Sequence, residues 1–366
     1  MTIRELKFKN FRNLKPGKMQ PSETINVIHG ENAQGKTNLI EAMWLFTGGR
    51  SFRATKDADL TMFGENRTEL EMELKTQGRN QDIKISIEKG ARKVEVNMVQ
   101  KRSSEMIGKF CAVVFSPTHL SLIKDGPSQR RRFLDAAICQ LWPIYAKNLI
   151  KYNKTINQRN ALLKSCKQSS RFSNTIEIWD ESLAVCAAEI TKKRLEYIKL
   201  LQDYAVSAYH GISSGKEELS LQYKSSLPKG EVENANEAAL SELYLQVFQK
   251  SKNEDFALGF TTKGPHRDDF DIKVNGKHAR MFSSQGQQRS VVLAMKLAEA
   301  KIIEKERYES PVILLDDVMS ELDSKRQNYI LNALGNLQVF ITCCNPEILN
   351  QMAGGKTFLI EKGEIT

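Results

Sequence analysis

The sequence is poor in cysteine and has none at the spacing of a metal or redox motif: six cysteines in 366 residues, with no CxxC pair. That excludes a disulfide-stapled scaffold. The adjacent Cys343 and Cys344, inside the apolar run VFITCC, read as reduced thiols of a cytoplasmic protein. No Cys/His spacing points to zinc: His119, His210 and His278 are isolated, and His29 reads as packed or hydrogen-bonded. No apolar stretch approaches the length needed to span a bilayer, and the opening MTIRELKFKNFRNL carries charges throughout, unlike a signal segment. A soluble, cytoplasmic chain with no membrane partner is therefore expected. Acidic residues are in deficit, with Asp+Glu 44 against Lys+Arg 54 and a formal charge of +10. This balance favours a polyanionic partner. A zinc finger, an aromatic RNA-binding signature and a recognition helix are all lacking, so nucleic-acid binding is expected to be insensitive to base sequence.

What is present begins at His29 with HGENAQGKTNLIEAM. Gly30 to Thr37 fits the phosphate-loop pattern GxxxxGKT, with TINVI before it reading as a strand and NLIEAMWLF after it as a helix. Gly30 and Gly35 permit tight backbone geometry. The amides between them, through Glu31, Asn32, Ala33 and Gln34 and on to Asn38, can then converge on a polyphosphate, helped by the positive end of the helix. Lys36 would reach the terminal phosphates and the Thr37 hydroxyl would ligate Mg2+.

Alternating runs follow. TELEMELK, DIKISI and KVEVNMV each place apolar residues at period two, the pattern of half-exposed antiparallel strands, and together they read as a β-meander. From about residue 127 the period becomes helical. Leu149, Tyr152, Ile156 and Leu163 form one stripe, interrupted at Arg159; Ile176, Trp179, Leu183, Cys186 and Ile190 form another, which resumes at Tyr197 and Leu201 after Arg194. This seam is too short for a long coiled-coil tether. Polar text intervenes from HGISSGKEEL to SSLPKGEVENANEAAL. Then DFDIKVNGKHARMF reads as a hairpin turning at Asn275 and Gly276, and RSVVLAMKLAEAKIIEKE as a helix. LQVFITCC reads as a parallel core strand and TFLIEKGEI as a last short strand or hairpin.

PVILLDD completes the picture. An apolar strand ending in Asp316 and Asp317 delivers two carboxylates to the carboxyl edge of a sheet, where open α/β sheets keep ligands. Asp316 is suited to hold magnesium together with Thr37, and Asp317 to polarise an attacking water. Most of the chain separates this strand from the phosphate loop. The arrangement implies one ATP-binding domain assembled from both chain ends, with a helical unit inserted. FSSQGQQRS places Ser284 and Gly286 at a helix start; it reads either as a capping serine or as a second anion site serving a nucleotide held by another copy.

KNFRNL, GENAQGKTNLIEA, GPHRDDF, SSQGQQRS and LLDDVMSELD together resemble the RecF family of bacterial recombination-repair proteins, within the structural-maintenance (SMC) and ABC-type ATPases. The resemblance spans the chain. It implies an α/β fold: an ABC-type ATPase head, with a mixed sheet, phosphate loop and antiparallel β-meander, carrying an inserted α-helical arm. The expected division is residues 1–120 and 251–366 for the two parts of the head and 121–250 for the arm. It also implies an ATP-dependent homodimer on double-stranded and gapped DNA, slow DNA-stimulated ATP hydrolysis, the damage response, RecO and RecR as mediator partners, and a nucleoid-associated place in the cytoplasm. Ser284, Gln285, Gly286 and Gln287 match the family's signature motif, Asp323 the loop reaching toward a partner's site, and Arg12 an arginine that approaches the phosphates. Asp317 stands where transporters carry glutamate, Gln285 replaces a glycine, and Cys343 or Cys344 occupies the region of a switch histidine.

Basic clusters offer candidate DNA contacts at Arg130, Arg131 and Arg132 and at Lys192, Lys193 and Arg194, with further clusters at Lys7 to Lys18 and at Lys101 and Arg102. The alternatives are a transporter subunit, which would need a membrane partner; a structural-maintenance protein, which would need a longer coiled coil; a nuclease, which would need a further metal-binding domain; and, nearest, an ATP-binding clamp with negligible hydrolysis.

Overall fold

The computed structural model describes residues 1–166, 175–228, 230–344 and 355–366. From the N-terminus come β1 (Thr2–Lys9), β2 (Gly17–Met19) and β3 (Ile25–His29), which runs into α1 (Lys36–Leu45). The meander is β4 (Arg67–Thr76), β5 (Arg79–Glu88), β6 (Ala91–Val96) and β7 (Val99–Lys101); α2 (Ser103–Met106) leads to β8 (Ala112–Phe115). Helices α3 (Ser121–Lys124), α4 (Pro127–Leu141), α5 (Pro143–Cys166) and α6 (Ile176–Ser213) follow, then β9 (Leu219–Lys224) and α7 (Glu237–Leu258). The chain continues through β10 (Asp269–Val274), β11 (Lys277–His278), α8 (Ala279–Phe282) and α9 (Gln285–Arg307). It closes with β12 (Val312–Asp316), α10 (Ser324–Ala333), β13 (Val339–Cys343), β14 (Lys356–Glu361) and β15 (Glu364–Ile365).

Two compact units result. The first gathers Met1–Leu120, Ser207–Lys216 and Arg289–Thr366. It contains two six-stranded sheets. One, in the order β2-β1-β4-β5-β6-β7, is antiparallel throughout, and its alternation puts Leu70, Met72, Leu74, Ile83, Ile85 and Ile87 in the core at 1% exposure or less. The other, in the order β15-β14-β3-β13-β12-β8, is parallel except for the β15 edge. Its central strands β12 and β13 are buried along their whole length, as expected of continuous apolar runs in a parallel sheet. This sheet sets β3, β13 and β12 side by side, so the ends of the three strands that precede the phosphate loop, Cys344 and the acidic pair lie together.

The second unit gathers Ser121–Val206 and Glu217–Gln288. Of the α5 seam residues, Tyr152, Ile156 and Leu163 are buried and Leu149 is half-buried, and the two arginines that interrupt the seams are buried as well, Arg159 at 0% and Arg194 at 2% exposure. The expected boundary at residue 250 falls inside α7, and residues 251–288 belong to this unit. The cause is a strand inside the text read as polar: Leu219, Leu221 and Tyr223 alternate along β9, which pairs antiparallel with all six residues of β10. The β10–β11 turn falls at Asn275 and Gly276 as the sequence indicates, although β11 has only two residues.

Candidate functional site

The loop between β3 and α1 is held open by backbone geometry. Gly30 has φ +149° and Gly35 φ +123°, in the region that L side chains rarely adopt. A Cβ on Gly30 would strike the carbonyl oxygen of Ile360 on β14, and one on Gly35 would lie 2.8 Å from Leu14 and 2.9 Å from Asn13. Residues of KNFRNL and of the C-terminal hairpin buttress the cradle. Asn13 donates to the Ala33 carbonyl at 3.1 Å, Asn38 donates to Asn13 at 2.6 Å, and the Lys362 N–H donates to the Gln34 side chain at 2.6 Å. Helix α1 has no side-chain cap at Gly35, so the amides of its first turn have no acceptor within the helix and face the loop with the positive end of the helix dipole.

Lys36 sits in this cradle at 4% exposure. Its Nζ donates to the carbonyls of Gly30 at 2.7 Å and Glu31 at 2.9 Å, and lies 3.5 Å from the Cys344 sulfur. No carboxylate lies within ion-pair distance of it among the described residues. Cys344 is the thiol that touches the loop, its Sγ 3.1 Å from the Asn32 side-chain oxygen, whereas Cys343 is buried and its thiol is pushed up to about 11 by that burial.

Thr37 donates its hydroxyl to Asp316 at 2.8 Å, across 279 positions of sequence. Asp316 is 4% exposed; burial raises its pKa, while the bonds from Thr37 and Thr342 oppose the rise. Thr342 on β13 donates to Asp316 at 3.1 Å and accepts the Asp317 N–H at 2.9 Å, which pins the acidic pair; Asp317 adopts φ +52° and is half-buried. Sequence reading missed Thr342, whose signal was a polar residue within an otherwise apolar strand. A buried ammonium with only neutral partners, uncapped amides and a facing hydroxyl–carboxylate pair form a donor set that fits a polyphosphate and a divalent cation.

Arg12 is anchored by groups of its own chain. Its guanidinium makes a bidentate pair with the fully buried Glu41 of α1 at 3.0 and 2.9 Å and donates to the Asp59 carbonyl at 2.9 Å, so three of its five N–H groups are engaged. Glu41 also accepts a very short hydrogen bond from Ser51. Both were invisible in the sequence because a glutamate in the middle of a helix reads as a solvated position.

In the second unit, Ser284 forms a reciprocal cap at the start of α9: its N–H donates to the Gln287 side chain at 2.8 Å and its hydroxyl accepts the Gln287 N–H at 3.2 Å. Gln285 is exposed, Gly286 is half-buried, and Gln287 donates to Glu217 at 2.7 Å. Asp323, in the first unit, caps α10 through the Arg326 N–H at 3.0 Å and keeps a half-exposed side chain whose pKa is lowered by that bond.

The basic clusters divide. Arg130 is bound bidentately to Asp269 at 2.7 and 2.8 Å and is 9% exposed; Arg194 binds Asp135 at 2.8 Å and the Pro265 carbonyl at 2.6 Å. Neither guanidinium faces solvent, which corrects the expectation that they contact DNA: both are held inside the unit by partly exposed carboxylates. Lys192 donates to the Ala235 carbonyl, and Lys193 pairs with Glu196 and lies 4.4 Å from the Trp142 ring centroid. Arg131 and Arg132 have no carboxylate partner among the described residues. The GPHRDD stretch is a hub of the second unit, for Asp268 also accepts from Tyr223 at 2.6 Å and from the Ser226 N–H at 2.7 Å.

A family model described as RecF/RecN/SMC N terminal domain matches residues 2–364. The chain is similar to the DNA replication and repair protein RecF of Ruminiclostridium cellulolyticum, 37% identical over 100% of this chain and 99% of that one, and to its counterpart from Acetivibrio thermocellus, 38% identical over 98% of each. Its fold matches a solved structure of the recombination mediator protein RecF-ATP in the RecFOR pathway, with TM-score 0.92 and 38% identity, covering 100% of this chain and 97% of that one. The Smc head domain of Pyrococcus furiosus shares the fold, with TM-score 0.58 at 16% identity over 100% of this chain and 95% of that one. The chain thus has the ABC-type ATPase head fold with a helical insert, and it belongs to the RecF family.

Proposed function

We propose that this chain is an ATP-dependent DNA-binding protein of recombinational repair. ATP closes two copies on duplex DNA beside a single-strand gap, RecO and RecR act with it to load the recombinase, and slow hydrolysis reopens the pair. The observation that carries the reading is the Thr37–Asp316 hydrogen bond, which joins two motifs from opposite ends of the chain in one site with Lys36. Bound ATP with its magnesium ion would supply a polarised terminal phosphoanhydride. Lys36 would exchange its loop carbonyls for phosphate oxygens, the amides from Gly30 to Asn38 would surround the phosphates, and Thr37 with Asp316 would hold the ion. Asp317 orients the attacking water and receives its proton. Ser284, Gln285 and Asp323 present exposed polar groups, with Gly286 and Gln287 beside them, suited to a nucleotide on a second copy, and linkage then makes ATP binding and dimerisation favour each other.

No helix among the described residues is long and apolar enough to cross a membrane, in keeping with a cytoplasmic, nucleoid-associated role. The runner-up, a clamp with negligible turnover, draws support from the short side chain of Asp317. Substituting Asp317→Asn decides the assignment of that residue: ATP binding is retained and the closed dimer persists after ATP is added. A variant unable to bind ATP overturns the role given to Asp317.

A further inference from the structure

The second unit contains a cavity of about 200 Å³ beside the first two turns of α4. Its floor is closed by Tyr152, Ile190 and Arg194, each at most 2% exposed. Exposed Ser128, Arg132 and Asn153 form its rim, and half-buried Arg131 forms a wall. Among the described residues no carboxylate forms an ion pair with Arg131 or Arg132 at this wall. Asp135, the acid lining the cavity, accepts from Tyr145 at 2.5 Å and from Arg194 at 2.8 Å, so its charge is offset by Arg194. Arg131 donates to the Asp268 carbonyl at 2.8 Å, a neutral acceptor, and Arg132 has no partner among the described residues. Burial first, and then the neighbouring charge of Arg194, lower the pKa of Arg131, opposed by the carboxylates of Asp269, Asp135 and Asp268.

His266 does not add charge. Its Nε2 lies 3.1 Å from the Thr261 carbonyl and therefore carries the proton, its Nδ1 accepts from the Tyr152 hydroxyl at 2.6 Å, and burial lowers its pKa to about 4. Two guanidiniums without an ion-pair carboxylate thus border a cavity whose floor is closed by buried side chains. A phosphate monoester carries nearly two charges at neutral pH and one substituent, against one charge and two substituents for a phosphodiester, so it matches two guanidiniums above a closed floor better.

We propose that this cavity binds a terminal phosphate, held by Arg131 and Arg132 with the positive end of α4 behind Ser128. The phosphate belongs either to a nucleic-acid end or to a free phosphate compound. The first source rests on the DNA-binding reading above; the site itself does not.

The test uses the full chain carrying Lys36→Met, so that the phosphate loop contributes little. In one arm, fluorescence anisotropy compares duplexes with 5′-phosphate, 3′-phosphate or only hydroxyl ends; in the other, thermal unfolding is followed in inorganic phosphate against chloride at equal ionic strength. A preference of at least fivefold for a phosphorylated end, abolished by Arg132→Gln, establishes the site with a DNA end as its source. Stabilisation by inorganic phosphate that Arg132→Gln removes, without an end preference, establishes it with a free source. Absence of both effects, or their survival in Arg132→Gln, overturns the proposal. Failure of the Lys36→Met chain to bind any duplex follows from its loss of ATP-driven closure and leaves the DNA reading standing, and the phosphate arm then decides the site.

Discussion

Lys36 in the first unit and Arg159 in the second are both buried cations, yet their surroundings are opposite. Arg159, fully buried, donates to Asp180 and Asp255 at 2.6 Å each and to Thr261 at 2.8 Å, and lies 5.7 Å from the Phe248 ring centroid. Lys36 meets two carbonyls and a thiol. A cation that takes its counter-charge from its own chain completes a core, whereas one held by neutral dipoles still lacks an anion and marks a place for a ligand. By that criterion Arg194 and Arg130 fall with Arg159, and Arg131 falls with Lys36.

The strongest way to break the comparison is to remove Arg159. Arg159→Met leaves two buried carboxylates uncompensated and should cost about 3–5 kcal/mol in urea unfolding. Adding Asp180→Asn and Asp255→Asn should recover much of that loss; a single-variant cost under about 1 kcal/mol contradicts the structural role. The second unit also carries a pH dependence. His266 is held neutral down to about pH 4, while an unfolded histidine titrates near 6.5. Its folded pKa is depressed, so the unfolded state takes up the proton first. Stability is complete above about pH 6.5 and falls as pH drops toward 4, by up to about 3 kcal/mol. Unfolding of the chain and of His266→Gln at pH 7 and pH 4.5 measures this contribution, and an unchanged slope in the variant refutes it.

Lys36→Met should act on ligand rather than fold. Loss of a hydrogen-bonding charge predicts ATP binding weaker by about 10- to 150-fold, corresponding to about 1.5–3 kcal/mol. Calorimetric titration reads this, and equal affinity removes Lys36 from the site. The smallest change sharpens the contrast between neighbours. Arg132→Gln should shift stability by no more than about 0.5 kcal/mol while lowering the salt slope of DNA binding by roughly one phosphate contact. Arg194→Gln should instead destabilise the second unit. Equal effects from the two would end the distinction.

The sequence made the loop legible because each of its residues has a local reason: glycines at Gly30 and Gly35, a charge at Lys36, a hydroxyl at Thr37, and strand and helix on either side. Asp316 was equally plain at the end of an apolar strand. What escaped were partners supplied from a distance. Arg12 cannot be read as a partner of Glu41, nor Arg194 of Asp135, from spacing, because each pair forms only after its elements pack. Interruption of an apolar helical seam by Arg159 and Arg194 was the available signal, since a charge in that position must be either solvated or paired. β9 escaped for another reason: a half-buried six-residue strand between polar segments carries few apolar residues.

Steady-state ATP hydrolysis against protein concentration, with and without duplex DNA and with Lys36→Met to subtract contaminating activity, tests the central claim most directly. A site completed by a second copy predicts a specific rate that rises with protein concentration and rises further with DNA. A genuine rate independent of both would leave an ATPase but contradict the two-subunit clamp.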